Sequence, residues 1–155
     1  MRLRLIAVGT RQPDWVDSAT QEYLRRLRAP WRCELVEIEA PTRGTRGADD
    51  AVRREGERVL AALRDRERVV LLDETGKTLA TRELAARLGV LAGESPDLAL
   101  LIGGPDGHAP AVRARAAESW SLSRLTLPHG LARVLLAEQL YRAQTVLLGH
   151  PYHRD

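Results

Sequence analysis

Two short, uninterrupted apolar runs, VVLLD at residues 69–73 and LALLI at 98–102, constrain this chain more than any other feature. A strand with one wet face alternates apolar and polar residues. A continuous run of strand length is what a parallel strand shows when helices cover both of its faces. Parallel neighbours also need a long crossover, usually a helix, between them. The two runs therefore predict an α/β architecture, a mainly parallel sheet with helices on both faces.

The flanking segments complete that pattern. Residues 2–8 read as a first strand, and GTRQP leads into a helix with Trp15, Val16, Ala19, Tyr23 and Leu27 on one face and Asp14 as its cap. CELVEIE (33–39) alternates like a strand with one exposed face, PTRGTRG (41–47) is a loop by composition, and Asp49 or Asp50 opens a helix carrying Val52, Val59, Leu60 and Leu63. Between the two apolar runs, Thr81 caps a helix with Leu84, Ala85, Leu88 and Leu91 on one face. After the second run, GGPDG leads into a helix over 109–118.

SWSLSRLTLP then places Trp120 and Leu122 on one parity and Leu125 and Leu127 on the other, which predicts a strand broken near Ser123 and Arg124. The last helix is expected from about residue 130 to 148. Its apolar positions Leu131, Val134, Leu135, Leu136, Leu140, Val146, Leu147 and Leu148 cover more than one face. A helix covered from two sides points to a symmetric dimer.

Composition narrows the class. The 155 residues, 44% apolar and without repeats or linkers, suit one domain spanning 1–155. Cys33 is the lone cysteine, which rules out an intramolecular disulfide and four-cysteine zinc sites and fits a reducing, cytoplasmic setting. The opening apolar run covers only residues 5–8, and no run approaches the roughly 18 residues of a membrane span, so a soluble, unprocessed protein is expected. The formal charge of +3 favours a nucleic-acid partner only mildly.

Several candidate sites carry two readings each. ETGKT, after the run at 69–73, imitates the end of a phosphate-binding loop, but that motif needs a glycine where Leu71 stands. Gly103, Gly104 and Gly107 lie at a strand end, either as a tight turn or with backbone amides facing a ligand; Pro105 breaks the dinucleotide-binding spacing. His129 either satisfies local backbone at the last helix's entrance or faces a site. Glu138 and Arg142, spaced i, i+4, make either a packing ion pair or part of a site at a dimer seam. The tail GHPYHRD holds His150, Tyr152, His153 and Arg154; it is either a solvated end or a segment ordered by a ligand, with Tyr152 suited to stacking, Arg154 to phosphate and His153 to proton exchange. Pro151 prevents a helical pair of histidines, and no metal site is expected.

LLIGGPDG, SWSLSRLTLPHGLARVLLAEQLYRA and HPYHRD, in this order, closely resemble the RlmH family of pseudouridine N3-methyltransferases, and RLIAVGT, PDWV, EYLRRL and LLDETGK extend the likeness over essentially the whole chain. The resemblance implies a SPOUT fold with a deep C-terminal trefoil knot and a homodimer in which one subunit's tail completes the other's site. It implies S-adenosylmethionine bound by Leu72, Gly103, Leu122, Ser123, Arg124, Leu125, Thr126 and Leu127. The implied substrate is a pseudouridine near helix 69 of 23S ribosomal RNA within the 70S ribosome. His153 or His129 would assist proton removal, Arg142 and Arg154 would stabilise the anion or hold phosphate, Tyr152 would position the base, and Glu138 would line the substrate side. The same residues also suit a SPOUT enzyme acting on transfer RNA, a non-catalytic protein that binds RNA or the ribosome, and a structural dimer with no ligand. Asp106, His108 and the arginine-rich first half depart from the family's usual choices.

Overall fold

A computed structural model describes residues 1–42 and 47–153, except the side chain of His153. The loop expected over 41–47 therefore falls largely outside the described residues, as does Arg154. The elements run β1 (Arg2–Val8), α1 (Asp14–Arg26), β2 (Arg32–Ile38), α2 (Gly47–Ala62), β3 (Arg68–Thr78), α3 (Thr81–Glu94), β4 (Asp97–Ile102), α4 (Pro110–Arg115), β5 (Glu118–Ser121), α5 (His129–Leu147) and a 3-10 turn at Pro151–His153.

The five strands lie in the order β2-β1-β4-β3-β5, and every pair is parallel. Alternate residues of the buried strands feed two cores. Leu3, Leu5, Val70, Leu72, Leu98 and Leu100 pack on one face with Leu24 of α1, Leu88 of α3 and Leu136 and Leu140 of α5. Ile6, Val8, Val69, Leu71, Ala99 and Leu101 pack on the other with Val59 of α2 and Val112 of α4. The continuous apolar runs are the central strands β3 and β4, covered on both faces. No helix among the described residues is long and apolar enough to cross a membrane.

Several local expectations are corrected. Trp15, assigned to the buried face of α1, is 56% exposed; Val16, Thr20 and Leu24 form the buried stripe instead. Asp14 and Thr81 begin their helices and do not cap them: the caps are Pro13 and Ala80, and the Glu83 carboxylate accepts from the Ala80 N–H at 2.7 Å. In α2, Asp49 and Asp50 lie in the first turn, after a start at Gly47. The helix expected to 118 stops at Arg115, because the Ala117 N–H bonds to the Val69 carbonyl at 2.8 Å and Glu118 pairs with Val70 in β5. β5 ends at Ser121, so Leu125 and Leu127 belong to no strand. The ETGKT segment continues β3 beyond a register shift between Leu72 and Lys77. Leu131 and Leu147 of α5, and Leu148 just after it, leave apolar surface exposed.

Candidate functional site

Parallel strands end on the same side of a sheet, and their following loops enclose a crevice there. In this chain the middle of β3, where its register shifts, the loop after β4 and the segment after β5 surround a cavity of about 430 Å3. Leu72 and Asp73 come from the first, Ile102 and residues 103–108 from the second, and Ser121, Leu122, Ser123, Leu125, Thr126 and Leu127 from the third. His129 and Ala132 of α5 close it. Arg124 belongs to the same segment but is exposed and does not line the cavity.

Each wall is held by identifiable bonds. The Glu55 carboxylate of α2 accepts from the Gly104 N–H at 2.8 Å, and Gly107 turns the loop with φ +80°. Asp73 accepts from the Thr75 N–H at 2.9 Å and from Arg113 at 2.6 Å. Beyond β5, the Ser121 hydroxyl donates to the Ser123 carbonyl at 2.8 Å, and the Ser123 hydroxyl accepts from the Leu125 N–H at 2.9 Å. Side chains satisfying backbone in this way hold an irregular segment without sheet partners. His129 interacts with the Gly103 backbone; burial, then the Arg133 charge, keep its imidazole below the ordinary histidine range, opposed by that backbone bond.

A second polar group lies farther along α5. The Glu138 carboxylate accepts from Arg142 Nε at 2.8 Å, from the Tyr152 hydroxyl at 3.3 Å and from Gln139 at 2.7 Å. Arg142 stands 5.1 Å from the Tyr152 ring centre, and Tyr141 packs against the same ring at 4.6 Å. Burial, followed by Tyr23 and the Glu138 charge, pushes the Tyr152 phenol up to about 12. It is a hydrogen-bond donor at neutral pH. The tail's 3-10 turn thus packs against α5 through Tyr152.

The structure consequently separates the residues singled out from sequence into two groups. Leu72, Gly103, the 122–127 segment and His129 meet at one cavity; Glu138, Arg142 and Tyr152 meet elsewhere on α5. Sequence reasoning missed Asp73, Arg113 and Glu55. Asp73 closes an apolar run in the sequence, though β3 continues past it to Thr78; Glu55 carries no local signal, being 49 positions from its partner.

The family described as Predicted SPOUT methyltransferase matches residues 1–153. This chain belongs to the SPOUT methyltransferase family. Among its SPOUT relatives, the Ribosomal RNA large subunit methyltransferase H of Chromohalobacter salexigens is 52% identical over 156 residues, covering 99% of this chain and 100% of that protein. The proteins of the same name from Ectopseudomonas mendocina and Pseudomonas aeruginosa PAO1 are 51% and 52% identical over the same extents. A SPOUT assignment accords with the all-parallel sheet and the cavity at its strand ends.

Proposed function

We propose that this chain, acting as one SPOUT domain in a homodimer, transfers a methyl group from S-adenosylmethionine to N3 of a pseudouridine in the helix 69 region of 23S ribosomal RNA on the assembled ribosome. The observation that carries this reading is the convergence of Leu72, Gly103 and the 122–127 segment on one cavity, in a chain matching ribosomal RNA methyltransferases along its full length. The reading includes a C-terminal trefoil knot. Its support is the chain path: after edge strand β5 the backbone runs past the glycine loop, His129 meets Gly103, and α5 returns to pack on α1 and α3.

The cavity fits the cofactor. Its volume lies in the range of small-molecule sites, with apolar walls from Leu72, Ile102, Leu122, Leu125 and Leu127 and the glycine and 122–127 segments lining it. Such walls would accept adenine. Leu72, Gly103, Leu122, Ser123, Leu125, Thr126 and Leu127 would hold it, with Arg124 outside the cavity, and the bound group supplies a methyl already activated by its sulfonium charge.

The protein must then align the acceptor nitrogen and remove its proton. His129 at the cavity edge is neutral at pH 7 and can accept that proton; His153 of a second copy is the other candidate. Arg142 and Arg154 would stabilise the developing imide anion or hold phosphate, and Tyr152, fixed on Glu138, would position the base. The two groups on α5 stand far apart within one chain, and a dimer that brings one subunit's tail to the other's cavity unites them.

The test is transfer of labelled methyl to 70S ribosomes lacking the modification, with the labelled nucleoside identified by mass. Label in N3-methylpseudouridine is the expected result. Label confined to transfer RNA would indicate that substrate class, and no label despite cofactor binding would indicate a non-catalytic RNA-binding protein.

A further inference from the structure

His108 takes no part in the chemistry above, yet it is buried inside the cavity wall. Its Nε2 lies 3.0 Å from the Leu72 carbonyl oxygen. A carbonyl can only accept, so Nε2 carries the hydrogen and donates. The ring also lies flat enough against Gly103 that a Cβ there would stand 3.0 Å from both Cε1 and Nδ1. One imidazole therefore joins β3, at its register shift, to the loop after β4.

The surrounding groups come from every neighbouring element. From α4, Arg113 donates to the His108 carbonyl at 3.3 Å and to Asp73 of β3 at 2.6 Å. Glu55 of α2 holds Gly104, His129 of α5 meets Gly103, and Asp106 belongs to the same loop.

We propose that His108 is a positioning residue for the cofactor, holding the Leu72 carbonyl and Gly103 in the relative placement that adenosylmethionine binding requires. This rests on the reading of the cavity as the adenosylmethionine site. Burial lowers the affinity of the imidazole for a proton, the Leu72 bond and Asp73 oppose that, and Arg113 reinforces it. A ligand bearing a sulfonium cation, and displacing water from this wall, disfavours a second cation further. Cofactor affinity therefore falls in acid, and His108 is the group responsible.

The experiment is calorimetric titration of S-adenosylmethionine into the wild-type protein, His108→Ala and His108→Gln between about pH 8 and about pH 5.5, the window that spans histidine ionisation. Circular dichroism monitors folding. Wild type should bind at the upper end and weaken in acid. His108→Gln keeps an amide donor for Leu72 without a titrating group, so it should retain affinity within about threefold and lose the acid decline. His108→Ala should bind roughly tenfold more weakly, as expected when a buried carbonyl loses its donor. An acid decline persisting unchanged in His108→Gln would overturn the proposal, and His108→Gln decides the matter even where His108→Ala fails to fold. A folded wild-type protein that binds no adenosylmethionine at any pH would overturn the cofactor reading as well; binding that ignores His108 would overturn this proposal alone.

Discussion

The guanidinium of Arg133 stands 2.7 Å from the Glu37 carboxylate and donates to the carbonyls of Val8, at 3.0 Å, and Gly9. Val8 ends β1 and Glu37 is next to last in β2, so one side chain of α5 joins the last helix to the ends of two strands. The Arg133 side chain is 1% exposed. Arg133→Met strands two carbonyls and a carboxylate, and should destabilise the fold by about 3 kcal/mol in urea unfolding. Glu37→Gln keeps an acceptor at a more exposed position and should cost about 1 kcal/mol or less. Equal losses would mean that the carboxylate, and not the strand ends, is what Arg133 secures.

Glu118 should make stability depend on acid. Arg87 Nε donates to its two oxygens at 3.0 and 3.1 Å, and Trp120 Nε1 donates at 3.0 Å. The Arg87 bonds hold the carboxyl below its ordinary value of 4.5, against burial, with help from Trp120. The folded state thus binds this proton less tightly than the unfolded chain. Its contribution is complete above the unfolded value and is lost as pH falls through the folded one. Glu118→Gln should lose about 1–2 kcal/mol in urea unfolding at neutral pH, with the difference from wild type shrinking towards about pH 3. A difference that stays constant would assign the loss to geometry and not to charge.

Gly76 sets the spacing of the outermost strand pair. A Cβ there would stand 2.6 Å from the Trp120 carbonyl carbon and 2.7 Å from its nitrogen, both backbone atoms that cannot rotate away. Gly76→Ala must push β5 from β3 and should cost about 1–3 kcal/mol. Because the cavity segment 122–127 follows β5 directly, adenosylmethionine affinity should fall with the melting temperature. An unchanged affinity in a destabilised protein would show that this segment is held independently of β5.

Subunit mixing tests the shared site. Along α5, His129 and Arg142 are separated by a helical rise of roughly 20 Å, too far for one chain to bring both to the same base. Tyr152→Ala should abolish methyl transfer with cofactor affinity retained, and Gly103→Val, whose side chain would meet His108, should abolish cofactor binding. Mixed and re-paired, the two inactive proteins should regain about a quarter of wild-type activity, since half of the dimers would hold one intact site. No recovery in verified mixed dimers would mean that each tail serves its own subunit.

Patterns of near neighbours determined much of this protein in advance. The uninterrupted runs at 69–73 and 98–102 declared central parallel strands, because only strands covered on both faces need apolar residues at every position. The parity change after Ser123 marked the irregular cavity segment. The tertiary structure alone decided what competes with local preference. Trp15 fits the helical stripe yet faces outward, since α1 packs through Val16, Thr20 and Leu24. Glu118 could have extended α4, but Val70 and Arg87 claim it for β5. Likewise the bonds Glu55 to Gly104, His108 to Leu72 and Arg133 to Val8 join residues 49, 36 and 125 positions apart. Periodicity reports only on neighbours within a turn or a pleat; pairings of that separation exist only once the sheet order has brought the strand ends together.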